Sequence, residues 1–251
     1  MDVLGVCAAY PAQHDACSGY LLTEGDTRLL LDCGPGVMGN LPEVCNYFEL
    51  SAILISHMHV DHYLDLFPLR YALTYSLERP EHFPRLPLVM PPGEYNRLLT
   101  GSIVSDPEKF NQEFLPMSMS ETAEIPFGNL TIRFALMNHP IQSFAFRITN
   151  REGVSLVYSS DSAFSEALIQ FAQGTDLLLC EATFQNQHAD RTGSGHMTAA
   201  EAGQVAEKVG VKKLVLTHIW PEYDREISVS EATQTYSGPV EAAVTRSTLD
   251  L

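Results

Sequence analysis

Leu50-Ser51-Ala52-Ile53-Leu54-Ile55-Ser56-His57-Met58-His59-Val60-Asp61-His62 decides how the rest of the chain is read. The run from Leu50 to Ile55 is short and apolar, rich in β-branched residues, and precedes a helical pattern; it therefore predicts a buried parallel strand with the histidines at its carboxyl end. His57 and His59 are two residues apart, so an extended backbone points both imidazoles to one side. Asp61 and His62 follow where the chain turns into the helix. Four ligand-type side chains within six residues suffice for two neighbouring metal ions.

Any one of the nine histidines, taken alone, is by default a hydrogen-bonded core or surface residue. The H-x-H-x-D-H cluster is a different case, because three imidazoles and a carboxylate are costly to desolvate together without a cation to bind them. The motif thus predicts a metal site at a strand-to-helix junction.

The chain has 251 residues, enough for a large core, and no Pro/Gly/Ser-rich linker, low-complexity tract or repeat divides it. A single domain over residues 1–251 is expected. No apolar segment approaches the roughly 18–20 residues that span a bilayer, and the opening Met1-Asp2-Val3-Leu4-Gly5-Val6-Cys7 lacks the pattern of an export signal, so no membrane partner and a cytoplasmic location are expected. The five cysteines (Cys7, Cys17, Cys33, Cys45 and Cys180) include no C-x-x-C pair and read as free, buried thiols. Fifteen Lys and Arg stand against 31 Asp and Glu, a formal charge of -16, which repels a polyanion and disfavours long RNA or DNA as a partner.

Along the chain, Val3 to Ala9, Ser18 to Thr23 and Arg28 to Asp32 read as strands, with a tight hairpin at Glu24-Gly25-Asp26. Asp32 is followed by Gly34 and Gly36, which allow close backbone approach. Leu64, Phe67, Leu69, Ala72, Leu73 and Leu77 recur at three- and four-residue steps and predict one core-facing helix ended by Pro80. His82 falls in a solvated loop. Leu86 to Met90 reads as a strand and Glu94 to about Ile103 as a helix, while Val104 to Phe127 reads as an irregular surface connection bordering the pocket. Strands are expected at Leu130 to Met137, Ser143 to Thr149, Val154 to Ser159, Asp176 to Cys180, Lys212 to Thr217 and Val240 to Leu249. Helices are expected at Phe164 to Ala172, Ala199 to Val209 and Val229 to Tyr236; Thr198 and Glu201 form a capping box for the second. Periodicity alone supports mixed α and β structure.

The H-x-H-x-D-H motif resembles that of the metallo-β-lactamase superfamily, and the likeness extends over nearly the whole chain. That resemblance implies a four-layer αββα sandwich, an α/β fold of the α+β type, with the site along one edge. The family pattern continues with an isolated His, an Asp and a His at later strand ends; these positions match His139 in Phe134-Ala135-Leu136-Met137-Asn138-His139-Pro140, Asp161 in Val157-Tyr158-Ser159-Ser160-Asp161, and His218 in Leu214-Val215-Leu216-Thr217-His218. By resemblance, one metal takes His57, His59 and His139, the other takes Asp61, His62 and His218, and Asp161 bridges them. Asp32 buttresses the metal loop by hydrogen bonding. A thiolate-free set of imidazoles and carboxylates suits two divalent ions, Zn²⁺ first, with Mn²⁺, Fe²⁺ or Co²⁺ also compatible.

Two such ions lower the pKa of a shared water to near neutrality and hold the hydroxide for attack, and Asp61 is placed to orient it. The leaving alkoxide needs a proton. Gly195-His196-Met197-Thr198-Ala199-Ala200-Glu201-Ala202 resembles the motif of the ribonuclease Z branch, in which this His, here His196, assists at the scissile phosphate. Glu181-Ala182-Thr183 resembles that branch's His-Glu-Ala-Thr segment, whose Glu pairs with the His, although Cys180 replaces its first His. Asp61, His196 and Glu181 are therefore the catalytic candidates. Only 22 positions separate His139 from Asp161, too few for the basic arm that bacterial ribonuclease Z commonly inserts there to grip transfer RNA. The expected function is a phosphodiesterase acting on a small-molecule phosphodiester such as a cyclic nucleotide. A ribonuclease Z-type endonuclease that trims transfer-RNA 3′ ends is the enzymatic alternative, and a non-catalytic RNA-processing scaffold of the same fold is the alternative of another class. Dimers are common in the resembled branch, which makes a homodimer an expectation without a readable interface.

Overall fold

In the computed structural model, residues 1–101 and 104–250 are described. The first sheet runs β1 (Asp2–Gly5), β2 (Gly19–Glu24), β3 (Thr27–Leu31), β4 (Ala52–Leu54), β5 (Leu86–Met90) and β6 (Phe114–Ser118), in that spatial order. Its first two pairings are antiparallel, and β3 to β6 are parallel. The second sheet contains β7 (Ile125–Phe127), β8 (Leu130–Leu136), β9 (Phe144–Asn150), β10 (Ser155–Tyr158), β11 (Leu177–Glu181), β12 (Lys213–Thr217) and β13 (Val240–Ala242). Its order is β13-β12-β11-β10-β9-β8-β7, parallel from β10 to β13 and antiparallel from β10 to β7.

Strand periodicity sets the layers. Leu29 and Leu31 of β3, Leu54 of β4, Tyr158 of β10 and Leu179 of β11 meet between the sheets, while Leu30 and Ile53 face outward. The outer face of the first sheet is covered by α1 (Val37–Asn40), α2 (Val60–Tyr63), α3 (Leu66–Tyr75), α4 (Glu94–Thr100) and α5 (Pro107–Glu113), through Val37, Leu66, Leu69, Leu98 and Phe110. The second sheet carries α6 (Glu166–Ala172), α7 (Ala199–Val209) and α8 (Arg225–Thr233), through Leu168, Val205 and Ala232. The layering is αββα, as the resemblance implies. Each fully buried side chain of this size contributes roughly 1.5–3 kcal/mol.

Several expectations need correction. The helix after the histidine motif is two pieces, α2 and α3, and it ends at Tyr75, five residues before Pro80. Leu77, expected in the core, is fully exposed. The segment from Val104 to Phe127 is not irregular, since it supplies α5, with Asp106 accepting from Lys109 N as its N-cap, and edge strands β6 and β7. Its signals were hidden by Pro107 and Pro116, which sit at a helix start and on a sheet-edge strand, where a missing N–H costs little. α8 begins at Arg225 instead of Val229, because Asp224 caps it. β13 stops at Ala242; beyond it the chain forms an isolated bridge from Thr248 to Asp2 and backbone hydrogen bonds such as Val3 N to Ser247 O, without a continuous strand. The first strand stops at Gly5, with a bridge at Cys7. The helix expected from Glu94 ends at Thr100, and its expected end at Ile103 lies outside the described residues. All five cysteines are buried free thiols.

The Thr198 capping box is present: Thr198 Oγ1 accepts from Glu201 N at 3.2 Å, and Glu201 Oε2 accepts from Thr198 N at 2.8 Å. Replacing Thr198 with Ala is expected to cost about 1 kcal/mol, seen as a lower urea midpoint at unchanged slope. Leu77→Ser, at a position read as core from the sequence, is expected to change stability by less than about 0.5 kcal/mol; a larger loss would show that Leu77 packs after all.

Candidate metal centre and active site

Five parallel strands end at one edge of the sandwich, and the candidate residues follow them. β4 delivers His57 and His59, and α2 carries Asp61 and His62. The turn after β8 supplies His139, the turn after β10 supplies Asp161, β11 ends in Glu181, and β12 leads into His218. Asp32, Ser160 and His218 have φ of 57°, 53° and 50°, a left-handed conformation uncommon for such residues and typical of strained functional turns.

All seven proposed metal ligands converge. His57, His59, His139 and Asp161 form one group, Asp61, His62 and His218 another, with the ligand atoms of each group within 4.8 Å of one another. Nε2 atoms of His57 and His139 lie 3.1 Å from Nδ1 of His59. Nε2 of His218 lies 3.3 Å from that of His62 and 3.2 Å from Asp61 Oδ2. Ligand atoms set tetrahedrally at about 2.0–2.1 Å from a metal are about 3.3–3.4 Å apart, so these spacings fit an ion. Asp161 faces both groups, with Oδ2 3.4 Å from His57 Nε2 and Oδ1 3.4 Å from His62 Nε2. That Oδ1 is buried and accepts no hydrogen bond among the described residues, an orphaned oxygen that a cation would satisfy.

The outward ring nitrogens are engaged by the protein, which fixes each imidazole. Nδ1 of His62 meets Asp32 Oδ2 at 2.8 Å, Nδ1 of His218 meets Thr183 Oγ1 at 2.9 Å, and Nδ1 of His139 meets Gly195 O at 3.0 Å. Asp32 is fully buried and also accepts from Ser56 N (2.7 Å), Ser56 Oγ (2.9 Å) and Tyr158 OH (2.8 Å). The buttress therefore ties α2, β4 and the second sheet together. Gly34 is required beside it, because a Cβ there would sit 2.0 Å from Asp61 O. Ala9 N donates to Asp61 Oδ2 at 2.9 Å.

Burial holds the His57 imidazole down at about 3, which keeps it neutral and available as a ligand. Burial also lowers His59 and His139. His62 goes the other way: burial opposes its charge, but the carboxylates of Asp161, Asp61 and Asp32 outweigh burial and raise its pKa well above the usual imidazole range. Such a field draws positive charge to the centre of the cluster.

His196 and Glu181 come together as expected. His196 Nδ1 lies 3.0 Å from Glu181 Oε1, and its ring stacks on His218 at 19° and 5.6 Å. Glu181 is fully buried, accepting from Ser162 N, Thr183 Oγ1 and Met197 N. Burial works against charge on His196, yet Glu181 and then Asp161 bring its pKa up to about 9. Alternation along β11 explains the departure at Cys180: it points to the outer layer, where its sulfur meets Met197 Sδ at 3.8 Å, while Glu181 faces the site. The three histidines outside this cluster are His14, His82 and His188, and His82 is exposed as expected.

The cluster opens into a cleft of about 460 Å³ lined by Ala9, Asp61, Asp161, Phe184, His196 and Trp220 among others. A sequence profile of the beta-lactamase superfamily domain matches residues 27–219. The chain belongs to this superfamily. Within it, the chain is 31% identical to the probable metallo-hydrolase YhfI of Bacillus subtilis, with 97% of this chain and 96% of that protein aligned. The crystal structure of YhfI superposes with a TM-score of 0.86 at 30% identity, covering 98% and 96% of the two chains. Ribonuclease Z of Myxococcus xanthus is 26% identical over 100% of this chain and 97% of its own length. The fold also matches the human short-form tRNase Z at a TM-score of 0.77 and 22% identity, covering 98% and 96%. These superfamily relationships and the His/Asp cluster agree on a metallo-hydrolase site able to bind metal.

Sequence reasoning missed Ser56, Thr183, Tyr158, Ala9 and Trp220. Two of these stood in view: Ser56 and Thr183 lie within motifs already singled out, and strand alternation puts each on the site face. Tyr158, Ala9 and Trp220 carry no local signal. Asp32→Asn replaces the carboxylate partner of His62 Nδ1 with a neutral amide that has only one acceptor oxygen, and is expected to weaken metal binding about 10- to 100-fold in competition with a chelator. Unchanged affinity would mean that His62 is oriented without its carboxylate partner.

Proposed function

We propose that this protein is a binuclear metal-dependent phosphodiesterase acting on a small phosphodiester through the His57-to-His218 ligand set. The reading is carried by one observation: the buried Glu181 binds Nδ1 of His196 at 3.0 Å, beside Asp161 at 3.9 Å, in a cleft that both His196 and Asp161 line. A phosphodiester offers both an anion for His196 to bind and a poor leaving alkoxide for it to protonate.

Bound divalent ions supply an activated water and neutralise charge on the phosphoryl oxygens. Hydrolysis forms a bond from the water oxygen to phosphorus and breaks the bond to the leaving oxygen, which departs with the electron pair. His196 donates the proton that this oxygen needs, from Nε2, while Glu181 holds Nδ1. Asp61 accepts from Ala9 N and orients the attacking water.

Three features favour a small substrate. The cleft, about 460 Å³, lies within the roughly 300–1,000 Å³ range of small-molecule sites, and the formal charge is -16. Between His139 and Asp161 the chain holds only β9, β10 and their turns, which leaves no inserted arm. The rival reading, a transfer-RNA 3′-processing endonuclease, draws support from the relatives named ribonuclease Z. A cytoplasmic location remains an expectation.

Two ions per chain are expected by metal analysis, falling to one in either His139→Ala or His218→Ala. Metal-loaded protein is expected to hydrolyse bis-p-nitrophenyl phosphate, cyclic AMP or a 2′,3′-cyclic nucleotide, and to leave precursor transfer RNA and a thioester intact. Trimming of the RNA without turnover of small diesters would reverse the ranking, and no turnover with both metals bound would favour a scaffold.

His196→Ala is expected to slow hydrolysis of alkyl diesters by about 10²- to 10⁴-fold, with a much smaller loss on p-nitrophenyl esters, whose leaving group departs unprotonated. Equal losses on both would remove the acid role.

A further inference from the structure

The cleft is lined by two chemically different kinds of residue. Its lining sets the carboxylates and imidazoles beside the apolar Ala8, Met58, Val60, Phe184 and Trp220. Trp220 is the one tryptophan of the chain, two residues beyond His218, half-buried and lining the same cleft. A core tryptophan would be enclosed. This one keeps part of its surface at the opening of a polar site.

Its orientation is fixed from the rim. Trp220 Nε1 donates to Tyr10 OH at 2.6 Å, and Tyr10 OH donates to Glu222 Oε1 at 2.6 Å. Phe184 packs against the indole at 5.6 Å and 41°, and it also meets His196 edge-on at 6.0 Å and 88°. The exposed Arg191 guanidinium stands 5.8 Å from the indole centroid; on its long stem it can swing outward. The aromatic surface is thus rigid and continuous with the proton donor, a preorganised platform for a flat ring.

We propose that Trp220 is the base-stacking subsite of this cleft, so that the substrate is a phosphodiester carrying a nucleobase, with the base on the indole and the phosphate at the ligand cluster. The inference rests on the phosphodiesterase reading and narrows its substrate class to nucleotides. Stacking tolerates any base, because each has a π face.

Because Trp220 is the sole tryptophan, its fluorescence reports the subsite directly. Adenosine monophosphate added to the metal-loaded protein is expected to quench it saturably, and ribose 5-phosphate at equal concentration is not. In kinetics, the preference for cyclic AMP over glycerol 1,2-cyclic phosphate, taken as a ratio of kcat/KM values, is expected to fall about 5- to 100-fold in Trp220→Ala. Trp220→Phe is expected to retain most of the preference, which separates loss of the ring from loss of folding. Turnover of both diesters with an unchanged ratio, or with no base-specific quench, would overturn the subsite and leave the phosphodiesterase reading intact. Base-specific quenching by a metal-loaded protein that hydrolyses neither these diesters nor bis-p-nitrophenyl phosphate nor a 2′,3′-cyclic nucleotide would support the subsite and overturn the phosphodiesterase reading. Absence of both quenching and turnover would overturn both.

Discussion

Asp32, Asp61 and Asp161 are buried together around the His62 ring at one edge of the sandwich, and the rest of the structure answers to that charge. Like charges a few ångströms apart repel by several kcal/mol even under protein-like screening, and desolvation adds to the cost. Asp32 is stabilised by protein donors on both oxygens. Asp161 is not, for its Oδ1 has no donor among the described residues. The field of these carboxylates raises the His62 pKa, and a divalent ion between the ligand groups is a stronger response to the same field. A bound ion would therefore couple metal binding to folding, because it would offset the energetic cost of preorganising these ligands.

The architecture makes that preorganisation feasible. In β3, β4, β10, β11 and β12, alternate residues face the inter-sheet core, so the next residue of the same parity, or a left-handed turn, aims a polar side chain at the common edge. Glu181 follows Leu177 and Leu179 on one face of β11. Thr217 follows Val215 on β12 and bonds Tyr20 OH across the sheets at 2.5 Å. Positive φ at Asp32, Ser160 and His218 then turns the chain where a strand would otherwise continue. The strain at these three turns is supported by the core beneath them, where Tyr20, Tyr158 and Phe146 interlock with ring centroids 5.2 to 5.8 Å apart.

How much of this was legible followed from how local each signal was. His57, His59 and the α2 pair Asp61 and His62 were readable because H-x-H-x-D-H compresses the four into six residues, and the βα context of that motif constrains geometry strongly. His139, Asp161 and His218 are single residues at strand ends, and only the superfamily pattern selected them from among similar positions. The Thr198 capping box and the strand Leu86–Met90 depend on neighbours in sequence and were read to the residue. Leu77 fitted helical spacing yet lies beyond the end of α3, because periodicity marks a face without saying where the helix stops. Trp220 and Ala9 gained meaning only when the segments following β1 and β12 came together through Ile219 N and Val6 O at 3.1 Å, a pairing across more than 200 residues that no local window contains.

Superfamily membership and substrate are decided in different parts of this molecule. The ligand cluster is built of residues that any member using two ions would need, so it constrains reaction chemistry more than substrate identity. Choice of substrate falls to the surrounding shell, which here comes from the Ala8-Ala9 turn, the segment from Phe184 to His196 and the residues after His218. These pieces derive from three distant parts of the sequence and are joined by contacts such as Trp220 Nε1 to Tyr10 OH, which contribute little to the core. A relative could keep every ligand and exchange this shell at small cost in stability, whereas a change at Asp32 or Asp161 would disturb fold and chemistry together. Affinity for a particular substrate is thus adjustable at the rim because the buried charges at the base of the cleft are held by a separate network, running from Tyr158 through Asp32 to His62.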